Sequence, residues 1–215
     1  METDRHVTVA DFQGMDPDVV VVATGARGGY VWADVRDLRV PVFDVLSALA
    51  RPVEQWETEV AVLGGDLAAC TVVQHLRRAG AVVHLTEESP SLASDGGFNG
   101  LLVEMDLDAD EGVIIHRETT AEAITGNRVV TRTRGNKGTL EVGSVVIGGR
   151  VSNNELSDAL RRADLRATVY TIGDAVRARD LYTAGQEAAD VAESVALASG
   201  ARVVSSVPRR QAASG

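Results

Sequence analysis

Residues 58–88 constrain the fold of this chain more than any other stretch, because the hydrophobic period changes twice across glycine turns. Glu59-Val60-Ala61-Val62-Leu63 is a short apolar run stopping at Gly64-Gly65, the pattern of a buried strand breaking out of a sheet. From Leu67 to Ala79 the residues Leu67, Ala68, Val72, Val73 and Leu76 recur at helical spacing. Gly80 follows Arg77 and Arg78, and both a left-handed-tolerant residue and cations suit a helix C-terminus. Val82-Val83-His84-Leu85 is a second strand, closed by Thr86-Glu87-Glu88. Strand, tight turn, helix and strand in this order make a βαβ unit and predict an α/β fold with a parallel sheet.

Such units hold dinucleotides when the turn reads G-x-G-x-x-G and an acid about 20 residues on meets a ribose hydroxyl. Here the six positions are Gly64, Gly65, Asp66, Leu67, Ala68 and Ala69. Alanine at the sixth is a tolerated variant. Asp66 stands at the third, where backbone approaches the pyrophosphate, and its carboxylate is expected to cost on the order of 1–3 kcal/mol of binding. NAD(H) is therefore expected to bind with weakened affinity. Glu87, at the end of the second strand, would favour NADH over NADPH, since an acid repels a 2′-phosphate.

With 45% hydrophobic but only 4% aromatic residues, the core must be built of Val, Leu, Ile and Ala, as parallel sheets are. A formal net charge of −10 argues against nucleic acid and anionic membrane surfaces. No apolar run approaches the roughly 20 residues of a membrane span, and Met-Glu-Thr-Asp-Arg-His is no signal peptide; a cytoplasmic protein is expected. The one cysteine, Cys70, excludes an internal disulfide and a cysteine-held iron–sulfur cluster. It reads as a small buried hydrophobe, with a low-pKa thiol at the helix start as the alternative. His6, His75, His84 and His116 share no metal spacing and read as structural or surface residues.

Elsewhere, Val7-Thr8-Val9 is strand-like, and Val19 to Val22 is an unalternated run ending at Ala23-Thr24-Gly25-Ala26, again a buried strand breaking at glycine,. Arg27 to Tyr30 reads as loop and Phe43 to Ala50 as a short helix stopped by Pro52,. Ser89 to Gly100 is rich in Ser, Gly, Asp and Pro and reads as a surface loop. Leu101 to Leu107 reads as a turn or two of helix before an acidic corner of Asp106, Asp108, Asp110 and Glu111, better suited to solvent than to calcium,. Val113–His116, 121–124, 129–134 and 139–142 read as antiparallel strands around the turns at Gly126-Asn127 and 135–138,. Val145 to Ile147 is a buried strand, 154–163 a helix, Thr168 to Ile172 a strand ending at Gly173-Asp174, and 184–198 a long helix. Residues 205–215 show no pattern and are expected to be a disordered tail.

Three fragments together resemble the nucleotide-binding half of two-dinucleotide flavoprotein reductases: Asp18 to Ala26, the central βαβ, and Tyr170-Thr171-Ile172-Gly173-Asp174-Ala175. The order is most similar to the C-terminal FAD/NAD(P)-binding region of the 2,4-dienoyl-CoA reductase and trimethylamine dehydrogenase flavoproteins, which follows an old-yellow-enzyme barrel. Gly149 to Leu156 looks like that family's return from the pyridine-nucleotide domain to the flavin domain. The resemblance implies a Rossmann-like three-layer domain over 53–150 with an antiparallel flap. It also implies a partial FAD-type domain formed by both chain ends, 1–52 and 151–204. Thr24, Gly25, Ala26, Gly173 and Asp174 would line FAD, or its ADP moiety, and the turn with Glu87 would hold the pyridine nucleotide.

The family's first βαβ, its FMN barrel and its cluster cysteines have no counterpart among these residues. Three readings follow: a subunit of a flavin oxidoreductase completed by a partner chain that supplies the first βαβ and the barrel; a non-catalytic nucleotide-binding or interaction module; and a self-sufficient NAD(P)H-dependent reductase. No catalytic acid, base or nucleophile stands out, so hydride chemistry would belong to cofactors.

Overall fold

The computed structural model describes residues 2–29 and 33–199. At its centre is a five-stranded, wholly parallel sheet made of β4 (Val42–Asp44), β5 (Glu59–Leu63), β6 (Val82–Thr86), β7 (Val113–His116) and β11 (Ser144–Ile147), in the order β4-β11-β5-β6-β7. Helices α2 (Val45–Ala50), α3 (Leu67–Arg78) and α4 (Gly97–Asp108) pack on one face. The other face carries a second sheet, in which β8 (Thr119–Thr125), β9 (Arg128–Thr133) and β10 (Asn136–Glu141) are antiparallel and β3 (Asp34–Arg36) joins β8 in parallel. The result is the three-layer, Rossmann-like α/β architecture that the βαβ unit predicts.

Strand β5 shows why the layers hold. Val60 and Val62 lie in the core under the helices, while Ala61 and Leu63 lie in the core under the flap, and all four are at most 1% exposed. A strand buried on both faces needs an unbroken apolar run, which is what Val60 to Leu63 supplies. Fully burying each Val or Leu side chain is worth roughly 1.5–3 kcal/mol, so this one strand ties three layers together.

Outside these layers, β1 (Val19–Val22) pairs in parallel with β13 (Thr168–Thr171), Val20 opposite Val169 and Val22 opposite Thr171. The two runs at opposite ends of the chain thus share one sheet. Val20 and Val22 pack with Leu160 of α5 (Glu155–Arg162) and with Val9 and Phe12 of α1 (Val9–Met15). Two antiparallel strands, β2 (Ala26–Gly28) and β12 (Arg150–Ser152), carry the chain between this pair and the central layers. Helix α6 (Leu181–Ala198) buries none of its residues. Among the described residues no helix is long and apolar enough to cross a membrane.

Several local expectations change. Residues 7–9 are not a strand: the Asp11 carboxylate accepts from the Thr8 N–H and hydroxyl at 2.8 and 2.7 Å, a capping box that starts α1 at Val9,. Arg27 is in β2, not loop. Phe43 is in β4, because Asp44 caps α2 by accepting from Leu46 and Ser47 at 2.8 and 3.0 Å,. With β3, β4 and α2 in the central layers, residues 34–50 belong with 53–150 rather than with the flanking unit assigned to 1–52. Helix α4 starts at Gly97, inside the expected loop. Strand β7 is not part of the antiparallel flap, which begins at β8; it pairs in parallel with β6. The expected tail at 205–215 lies outside the described residues.

Candidate functional site

In the central sheet the chain leaves β5 toward β6 and β7 on one side and returns to β11 on the other. Ligands of open α/β sheets bind beyond the carboxyl ends of the strands at such a switch point. Gly64 and Gly65 lie at the end of β5 and Gly148 at the end of β11, with the Gly148 N–H donating to Leu63 O at 2.7 Å. A Cβ at Gly148 would sit 2.7 Å from the carbonyl oxygens of both Leu63 and Gly64, so only glycine fits there. A cavity of about 310 Å³ on the flap side is lined by Gly64, Thr86, Glu87, Glu88, Thr119 and Ala121.

Three acidic residues accept backbone N–H groups at this turn. Asp66 is the N-cap of α3, its Oδ1 accepting from the Ala69 N–H at 2.8 Å and, more weakly, from the Gly149 N–H at 3.4 Å. Burial and the neighbouring Asp95 push its carboxyl pKa up, against the pull of those N–H groups and of Arg150. Glu87 accepts from the Gly65 N–H at 2.7 Å and from the Ser89 N–H at 2.8 Å. Asp95, which sequence reasoning missed, accepts from the Leu67 N–H at 2.8 Å. Cys70 is fully buried behind the turn, and burial and the surrounding carboxylates push its thiol up to about 12. It is a core residue and not a reactive thiol.

The second set of predicted residues gathers at the ends of β1 and β13. Thr24 and Gly25 follow β1, Ala26 opens β2, and Gly173 and Asp174 lie in a 3-10 turn after β13. The Thr24 hydroxyl donates to Asn153 O, and the Asn153 N–H donates to Gly25 O at 2.9 Å. Gly25 has φ +71° with open space where a Cβ would stand. A cleft of about 500 Å³ runs beside Thr24 and Asn153, closed on its far side by residues 5–9. Asp174 receives Arg150 Nη1 at 2.9 Å and the Arg179 N–H at 3.0 Å, while the Gly173 N–H donates to Glu187 Oε2 at 2.7 Å. Glu187 in turn pairs with Arg179. Gly149 and Arg150 stand between the two turns, one touching Asp66 and the other Asp174. Neither Arg150 nor Glu187 carried a sequence signal of its own.

Two further side-chain clusters lie apart from these turns. His84 and His116 are not isolated: parallel pairing of β6 and β7 brings His84 Nδ1 within 3.1 Å of His116 Nε2, with Glu59 Oε2 3.2 Å from His84 Nε2. The acidic corner faces solvent at Asp106, Asp108 and Glu111, with Asp110 paired to Arg77 at 3.0 Å and Asp108 to Arg117 at 2.9 Å; Arg117 also holds Glu104 of α4 at 2.8 Å. Among the described residues no group of three or more ligating side chains could hold a metal ion.

No family model and no curated protein matches this chain. Solved structures do. Histamine dehydrogenase from Rhizobium sp. 4-9 superposes with a TM-score of 0.74 at 20% identity, over 95% of this chain and 34% of that one. A 2-naphthoyl-CoA reductase gives 0.68 at 23% identity, over 84% of this chain and 27% of its own. Thioredoxin reductase from Lactococcus lactis gives 0.63 at 17% identity, over 84% of this chain and 66% of its own. The chain thus shares its Rossmann-like α/β fold with these dehydrogenase and reductase structures, and it spans about a third of the length of the first of them.

Proposed function

We propose that this chain is the nucleotide-domain portion of a flavin-dependent oxidoreductase of the kind formed by the dienoyl-CoA reductase and amine dehydrogenase flavoproteins, completed by a partner chain. The observation that carries this reading is the β1–β13 pair. It is a two-stranded parallel sheet, and parallel sheets occur in larger assemblies covered on both faces. Val20 and Val22 are buried, whereas Val21 between them is 46% exposed. The partner would add the first βαβ, with the glycine-rich turn for the adenine and diphosphate, and the FMN barrel.

FAD, or its ADP moiety, would then lie at the junction between the chains. Thr24, Gly25 and Ala26 would hold it from one side and Gly173 and Asp174 from the other. The bound flavin would supply the hydride chemistry; this chain's residues would position it and keep water from it. The open space at Gly25 and the cleft beside Thr24 support this.

A second reading, a non-catalytic interaction module, is favoured by one specific observation: the Gly173 N–H and both Asp174 oxygens already have partners within the chain. A visible absorbance spectrum of the chain alone and of the complex copurified from its native cells, with light scattering on both, tests the two. The flavin reading expects a colourless chain and a yellow hetero-oligomer. A colourless hetero-oligomer would support the interaction module. A monomer taking up FAD stoichiometrically by itself would refute the need for a partner.

A further inference from the structure

We propose that the nucleotide turn at the head of α3 is plugged by the chain itself, so that no pyridine dinucleotide binds there. The fold family implies such a ligand at this place, and the residues present do not fit it in charge or in shape. In a working turn the N–H groups of the glycine loop and the first helical turn point at a diphosphate. Here the Gly65 N–H donates to Glu87, the Leu67 N–H to Asp95 and the Ala69 N–H to Asp66, at 2.7, 2.8 and 2.8 Å. Three carboxylates thus take the contacts an anion would make. A diphosphate arriving there would meet like charge and would have to displace all three, with no cation released in exchange.

Shape closes the turn as well. The Ala93 N–H donates to Gly65 O at 2.7 Å, and a Cβ on Gly65 would lie 2.7 Å from Leu92 Cδ2. Residues 92–96 therefore lie across the turn, the space that backbone leaves for pyrophosphate in a dinucleotide site. This segment is anchored from behind. Leu92 and Ala93 are 2% and 1% exposed and belong to the core under the helices. The Leu92 N–H donates to Glu104 Oε1 at 3.0 Å, and Arg117 holds Glu104 at 2.8 Å. Opening the turn at Gly65 would draw Leu92 out of the core, which fixes residues 92 and 93, while Asp95 reaches the Leu67 N–H from the exposed 3-10 turn that follows. Reducing equivalents then do not enter through this domain from NADH or NADPH, and any flavin at the other turn is served by another donor.

The test uses the full 215-residue chain. Titrated with NADH in a calorimeter, the protein should show no saturable binding below about 1 mM; saturation below that concentration would overturn the proposal. Hydrogen exchange reads the plug directly. Asp95→Ala should speed exchange of the Leu67 amide at least about tenfold, as expected when a protecting acceptor worth about 1.4 kcal/mol is lost. Asp95→Asn, which keeps an acceptor oxygen in place, should retain most of the protection. An unchanged Leu67 amide in Asp95→Ala would show that Asp95 does not close the turn. Flavin retention is read separately by visible absorbance and does not involve this turn.

Discussion

Asp66 shows how one side chain can suit a helix and spoil a ligand site. As N-cap it satisfies an N–H that α3 would otherwise leave bare, worth about 0.5–2 kcal/mol against alanine. Its folded pKa is raised, by burial first and then by Asp95. The sign follows from linkage: the native state holds this proton more tightly than the unfolded chain, so stability is greatest in acid and falls as pH rises from the unfolded value through the folded one. At neutral pH the ionised carboxylate therefore carries a cost that an amide would not. Asp66→Asn, which keeps the cap, should raise the thermal midpoint at pH 7, with the gain vanishing below the unfolded carboxyl value; equal gains at both pH values would refute the burial argument. The misfit of Asp66 in the turn was legible in the sequence; its cap was passed over, although Asp immediately precedes the apolar periodic run at Leu67,. The part played by Asp95 was not legible, because 28 residues separate it from its donor. Gly148 is a similar case. Nothing in the sequence says why it must be glycine, yet a Cβ would strike two carbonyl oxygens of the neighbouring strand end. Gly148→Ala should cost about 1–3 kcal/mol, as overpacking does, measured as a fall in the denaturant midpoint at unchanged slope.

Among the elements, β5 and α3 were readable because each has a clear apolar pattern and a glycine just past its end, and β6 because its apolar run follows Gly80. The direction of β7 was not, since a short apolar run pairs equally well in either sense until the crossover that feeds it is known. That crossover is α4, of which the sequence shows only the part from Leu101: Phe98, Leu101, Leu102 and Met105 point outward at 74, 52, 46 and 60% exposure, while Gly100 and Leu107 are buried. An apolar residue count cannot separate such a helix from a loop beside a core. The parallel register of β6 and β7 sets His84 beside His116, a pairing 32 residues apart that no spacing rule could reveal. Burial, then the neighbouring His84, lowers the His116 pKa. The native state therefore binds this proton less readily than the unfolded chain. The stability it contributes is present above the unfolded value near 6.5 and is lost as pH falls toward the folded one,. Acidification from about pH 7 to 5 should loosen the β6–β7 edge, a slope that His116→Gln should flatten. Urea midpoints at the two pH values would check this, and an equal slope in the variant would remove His116 as its source.

Across the whole molecule, what the sequence conveyed best was that Val19 to Val22 and the run at Val169 are strands breaking at glycine, and these two do pair in parallel. What it conveyed least was the place of residues 34–50, since β3, β4 and α2 join the central layers. The β1–β13 pair is packed on one face by α1 and α5. Val21 points away from that core, 46% exposed. If the proposed partner covers this face, burying it is worth roughly 25 cal/mol per Å², and a charge placed there should act on assembly while sparing the fold. Val21→Lys should leave the thermal midpoint of the isolated chain nearly unchanged, since surface substitutions stay within about 0.5 kcal/mol. The same variant, tagged and recovered from its native cells, should elute alone by size exclusion with light scattering where the wild type elutes with its partner. It should also lose the yellow colour expected of the complex. A Val21→Lys protein that still assembles would place the partner on another face, and one that fails to fold would mean that Val21 belongs to this chain's own core.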